Sequence, residues 1–160
     1  HIHKNLKFTS VDVNTIKEKF DVIVSNGTLE HMDNPIKTLR LFKRHLNKNG
    51  CLIITSPNWT NPRGHMLIPL LLLFDAPITL VDIHYFTPID FKNFAKNLDM
   101  KLSWNTFDHS WGHGKILVED FKKRIPNVLR DSKLPNDKKK INLLIKWIFK
   151  RSYYIEYHLK

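Results

Sequence analysis

Two short apolar runs, residues 21–25 (DVIVS) and 51–55 (CLIIT), flank a stretch with helical periodicity. Both are rich in β-branched residues and neither alternates with polar positions, which predicts parallel strands covered on both faces. Between them Ile36, Leu39, Phe42 and Leu46 recur at three- and four-residue steps, while Lys37, Arg40, Lys43 and Arg44 fall elsewhere. That is the pattern of an amphipathic helix packed on a sheet. Asn34 or Asp33 caps its start, Pro35 takes the first position where a missing N–H costs nothing, and Gly50 is the expected left-handed stop. Strand, helix and strand in this order predict one right-handed βαβ unit.

On either side the patterning is less regular. Leu6, Phe8 and Ser10 alternate with polar residues ahead of Asp12 and Val13, as in a strand. Residues 57–65 (PNWTNPRGH) are turn chemistry throughout. Residues 66–83 are the most apolar stretch, interrupted by Pro69, Asp75, Pro77 and Asp82, so the unbroken part falls far short of the ~20 residues that span a bilayer. Two readings fit them: a lid over an apolar substrate or membrane surface, or a buried helix, the commoner fate of apolar runs. Thr87, Pro88, Ile89 and Asp90 read as a capping box, followed by the stripe Phe91, Phe94, Ala95 and Leu98. Met100, Leu102 and Trp104 alternate as a half-buried strand. Residues 115–130 predict a helix up to or around Pro126, 131–140 a polar linker, and Ile141, Leu144, Ile145 and Ile148 a further amphipathic helix. Residues 153–159 continue that helix or form a last strand; the alternation of Ile155, Tyr157 and Leu159 leans towards strand.

Composition bounds this picture. The 160 residues suit one domain, and 42% apolar content is enough for a core. Lys and Arg outnumber Asp and Glu by 26 to 15, a formal charge of +11, so the surface attracts anions: nucleic acid, a phosphorylated substrate or an acidic membrane. The single cysteine, Cys51, excludes an internal disulfide, fits a reducing, cytoplasmic compartment, and in a predicted buried strand reads as core rather than nucleophile. His109 and His113 flank Trp111, but further ligands at suitable spacing are not evident and no metal is expected.

In open α/β sheets, ligands sit outside the carboxyl ends of the strands, here residues 25–31 and 56–63. Ser25, Asn26, Glu30 and His31 crowd the first of these loops, followed by Asp33 and Asn34. Such a density of hydrogen-bonding groups reads either as a capping cluster or as a ligand site.

The run FDVIVSNGTLEHMDNP and then LNKNGCLIITSPN resembles the second half of a class I S-adenosylmethionine-dependent methyltransferase, a Rossmann-like family with small-molecule, quinone, lipid and sugar substrates. The Phe20-Asp21 opening, the Leu29-Glu30-His31 triplet, the Asp33 and Pro35 before the helix, Gly50, and Pro57-Asn58 fall in family order, and the resemblance covers residues 6–107. One family feature is missing. The five glycines, at 27, 50, 64, 112 and 114, include no glycine-rich cofactor turn after an apolar strand. The resemblance therefore implies the C-terminal part of the domain, with the first two strands and their helices upstream. The family sheet runs in the order 3, 2, 1, 4, 5, 7, 6, so the expected fold is a partial Rossmann-like α/β sheet of strands 3 to 6 or 7 with flanking helices. It forms a single domain over 1–160, with a core at 1–58, a substrate-side cover at 59–99 and C-terminal elements at 100–160. Without strands 1 and 2, residues 6–11 are expected to pair directly with the fourth strand or to lie loose.

By the same resemblance Asp12 and Val13 read adenine through a carboxylate and a backbone N–H, a suitable pair for an edge bearing one donor and one acceptor. Ser25 and Asn26 face the amino-acid part of S-adenosyl-L-methionine and the methyl being transferred, and Glu30, just beyond, belongs to the same cofactor-binding set. His31 is a candidate general base or simply holds the loop. Asn58, Arg63 and His84 border the substrate side, though packing is the plainer role for His84. The expected activity is methyl transfer to a small or lipid-like acceptor, with this chain inactive alone. The alternative is a non-catalytic basic module of the same fold that docks nucleic acid or acidic membrane. Nucleic acid is not expected as the partner, because an aromatic-basic RNA-binding motif is not evident; contact with a membrane surface stays open.

Overall fold

The computed structural model describes residues 6–79, 81–105 and 114–158. The architecture is α/β, with two parallel strands and five helices among the described residues. The chain divides into two compact units, residues 1–56 and 57–160.

The first unit is the βαβ element. Strand β1 (Phe20–Asn26) leads through a short 3-10 turn (Leu29–His31) into helix α1 (Pro35–Arg44), and strand β2 (Leu46–Thr55) returns parallel to β1. Asn34 is the cap: its Oδ1 accepts the Lys37 N–H at 3.0 Å. The helix ends earlier than its sequence pattern suggests, and Leu46 opens the strand instead of closing the helix stripe. The left-handed residue is Asn49, with φ of 69°, in place of Gly50. Gly50 is needed for another reason, since a Cβ there would stand 3.1 Å from the carbonyl oxygens of both Phe20 and Asp21. The chain closes on β1 at this point, and the register slips between Phe20 and Val22.

The strands are not covered on both faces as their composition suggests. Ile23 and Ser25 lie opposite Leu52 and Ile54 and are at least half-buried, together with Leu29, Leu39 and Leu46 at the heart of the unit. On the other face Val22, Val24 and Ile53 are exposed, and Cys51 beside them is exposed rather than buried in the core. The reason is the strand count. Residues 6–12 form no strand and pair with neither β1 nor β2; Phe8 is 81% exposed. In the expected sheet order two strands lie between this segment and β1, and an unpaired segment gains nothing from the extended state. Of the two expected outcomes, direct pairing or a loose segment, the structure shows the second; Asn5 lies outside the described residues.

The second unit is helical. Helices α2 (Pro62–Phe74), α3 (Pro88–Asn97), α4 (Gly114–Asp131) and α5 (Lys138–His158) contribute to it. Its core joins Trp59, Leu67, Ala76 and Ile78 to the α4 stripe Leu117, Val118, Phe121, Ile125 and Val128 and to Ile141, Ile145 and Ile148 of α5. Helix α4 continues through Pro126 to Asp131. The expected strand at 100–104 does not form: Leu102 and Trp104 are exposed and extend no sheet. Residues 153–158 continue α5, which settles strand against helix in favour of helix. The apolar stretch 66–83 is divided in its burial. Leu67, Ala76 and Ile78 are core, whereas Leu72, Leu73 and Phe74 at the end of α2 are exposed.

The capping box of α3 forms as its sequence predicts, with Thr87 N–H and Oγ1 both donating to Asp90 Oδ2 at 2.7 Å. At its other end Asp99 takes the left-handed conformation (φ 49°), Asp99 N–H donates to Lys96 O and Met100 N–H to Ala95 O, a complete Schellman closure. The aspartate therefore makes the same turn that a glycine would.

Candidate functional site

The carboxyl edge of the two strands is drawn tight by one hydroxyl. Thr55, the last residue of β2, sits opposite Asn26, the last of β1; its Oγ1 donates to Asn26 Oδ1 and accepts the Gly27 N–H at 3.1 Å. Gly27 N–H also donates to Thr55 O at 3.0 Å. The chain then reverses at Gly27 (φ 57°), and Ser25 Oγ and Thr28 Oγ1 share a hydrogen bond of 2.7 Å across the turn.

Ser25 and Glu30 are the buried polar residues of this loop, 5% and 3% exposed. Glu30 Oε1 lies beneath the turn, 3.8 Å from where a Cβ on Gly27 would stand. Its Oε2 is buried without a hydrogen-bond partner among the described residues. A buried carboxyl oxygen with no donor carries a desolvation cost of about 1–3 kcal/mol or more. The arrangement is suited to a donor or cation brought from outside, such as an ammonium or a hydroxyl. His31 follows on the exposed end of the 3-10 turn, its N–H bonded to Thr28 O at 3.1 Å.

Asp12 and Val13 belong to a turn of their own. Asp12 caps a 3-10 turn (Val13–Thr15), its Oδ1 accepting Asn14 N–H and Asn14 Nδ2, both at 2.9 Å. These bonds hold its carboxyl below the ordinary aspartate range. Asp12 is exposed, and its hydrogen bonds run to Asn14 and Thr15 within its own turn.

The remaining candidates belong to the second unit. Asn58 is committed to its own turn, accepting Thr60 N–H at 3.0 Å and Thr60 Oγ1 at 2.6 Å. Asn61 Nδ2 donates to Asn58 O, and Asn61 Oδ1 caps α2 through Gly64 N–H. Arg63 lies over the Trp59 ring at 5.0 Å; burial lowers its pKa, and Asp120 and Asp82 partly restore it. His84 stacks on Phe86 at 5.4 Å, inside an aromatic group with Phe91 and Phe94. Packing is thus the visible role of His84.

Ser25, Asn26 and Glu30 are gathered in one loop, while Asn58, Arg63 and His84 serve local turns and aromatic contacts. Thr28 and Thr55 were not singled out from the sequence. Placing the two parallel strands in register puts Thr55 beside Asn26, and that is the signal that finds it. The described residues contain no group of three His, Cys, Asp or Glu placed to hold a metal; His109 and His113 lie outside them.

Residues 1–68 match the family model of a methyltransferase domain, a span that takes in the whole first unit and the opening of α2. The match supports a methyltransferase activity for the domain to which these residues correspond. No curated protein and no solved structure matches the chain.

Proposed function

We propose that this chain carries the C-terminal portion of a class I S-adenosylmethionine-dependent methyltransferase acting on a small or lipid-like acceptor. The observation that carries the reading is Glu30, a buried carboxyl with an unpartnered oxygen at the carboxyl edge of a parallel βαβ unit within the matched residues.

S-adenosyl-L-methionine, when bound, would supply a sulfonium methyl that an acceptor lone pair takes up in line as the carbon–sulfur bond breaks and the neutral thioether leaves. Glu30 Oε2 fits the ammonium of its amino-acid part, the donor this oxygen lacks. Ser25 and Asn26 shape the same loop, and the Thr55 hydroxyl holds it against β2. Asp12 and Val13 read the adenine edge, and His31 takes the proton from an acceptor hydroxyl or amine. Asn58, Arg63 and His84 belong to the substrate side. The glycine-rich cofactor turn is not among these 160 residues, so the chain alone is expected to show no turnover.

Binding of S-adenosyl-L-methionine to the chain, followed calorimetrically beside Glu30→Met, tests this. A charge-assisted hydrogen bond is worth about 1.5–3 kcal/mol, so the substitution should weaken binding at least tenfold. Equal affinity of the two proteins, or no binding to either, would sink the proposal.

A further inference from the structure

Helix α5 presents two unlike faces. Ile141, Ile145 and Ile148 are buried in the core of the second unit. At ~100° per residue, Lys139, Lys140, Leu143, Lys146, Trp147 and Lys150 fall on the opposite arc, and all six are exposed. Leu143 is 73% and Trp147 56% exposed. Residues 138–150 hold five lysines and no aspartate or glutamate. Ion pairs lie on α4, at Lys122–Glu119, Arg124–Asp120 and Arg130–Asp131.

A helix whose apolar needs are met by its inner stripe has no structural use for a leucine as exposed as Leu143 on its outer side, one turn from the half-exposed Trp147. Lysines interleaved with them on one face make a surface that is at once apolar and cationic. We propose that the outer face of α5 docks on an anionic lipid bilayer. Leu143 and Trp147 enter the boundary between headgroups and acyl chains, where an indole is at home. The lysine stems lie along the same surface and their ammonium groups reach lipid phosphates.

Charge selects this occupant over the others. A second copy of the same face would set lysines against lysines. A nucleic acid would use the lysines but gain nothing from Leu143, and one indole is a poor stacking platform. The exposed end of α2 (Leu72, Leu73, Phe74) shows the contrast, because Asp75 follows it and no basic residue is interleaved. The proposal concerns a surface separate from the Glu30 loop and does not depend on methyl transfer.

The test is cosedimentation of the full chain with vesicles of phosphatidylcholine alone and of phosphatidylcholine mixed with phosphatidylglycerol. Binding is expected to the mixed vesicles and to fall steeply with added salt. Each basic residue at an anionic surface contributes about fivefold, so Lys139→Glu, Lys146→Glu and Lys150→Glu together should weaken binding by roughly 100-fold or more. Leu143→Ser should weaken it about tenfold. Unchanged circular dichroism and melting show that the outward substitutions leave the fold intact, and the salt titration of the unaltered chain stands if they do not. Absent binding, equal binding to both vesicle types, or indifference to Leu143→Ser overturns the proposal. So does tighter binding to single-stranded RNA than to vesicles, or self-association that Leu143→Ser abolishes.

Discussion

Glu30 illustrates a residue whose position makes sense for a ligand and not for the fold. Its buried oxygen lacks a donor, so an apolar side chain of similar shape should suit the first unit better. Glu30→Met is therefore expected to raise stability by about 1–2 kcal/mol in chemical denaturation while removing affinity for the cofactor. A purely structural glutamate would lose stability on the same change. Gly64 is the reverse case. A Cβ there would lie 1.8 Å from the Trp59 carbonyl oxygen, a backbone atom that cannot step aside. Gly64→Ala should cost about 2–3 kcal/mol, read as a lowered melting temperature of the second unit. Nothing in the sequence marks this glycine, because the contact arises only when the 57–61 turn folds back on α2. The crowding of Ser25, Asn26 and Glu30, by contrast, is legible as a string of letters, since all three lie in one short loop.

The elements divide along similar lines. Helices α1 and α3 announce themselves through local chemistry: Asn34 and Thr87 as caps, prolines at the first position, and stripes at helical spacing. Their ends are subtler. Asp99, just past α3, adopts a left-handed conformation where glycine is the usual choice, whereas α1 ends at Arg44 and the left-handed Asn49 falls inside β2. At Asp99 the Schellman closure is otherwise complete, so Asp99→Gly should add about 0.5–1 kcal/mol, measurable by denaturant titration. The strands are harder to read than the helices because a strand exists only with a partner. Residues 6–11 and 100–104 carry the alternation of strands and form none, because neither segment pairs with β1 or β2. The alternation gives way to α5 over residues 153–158, where helix hydrogen bonds are satisfied locally.

At the scale of the molecule, the two units differ in self-sufficiency. The helical core draws all its members from residues 59–148. Residues 57–160 expressed alone are therefore expected to melt cooperatively with a helical circular dichroism spectrum; a non-cooperative melt would show that the core needs more of the chain. The first unit is less complete, its buried hydrophobic side chains among the described residues being Leu29, Leu39 and Leu46, with one sheet face bare. The overall charge of +11 is visible in composition, but its concentration on the outer side of α5 emerges only once the inner side is known to be core.

The bare sheet face has a practical consequence through Cys51. The sole cysteine of the chain stands on that face, level with Val22 and next but one to Ile53. A thiol reagent therefore has a single address, and its reaction rate is a direct gauge of whether that face is open. In the isolated chain the thiol should label quickly. Any further layer that settles over Val22, Val24 and Ile53 will slow it, so one unmodified residue can serve as the reporter for assembly of a larger domain around this βαβ unit.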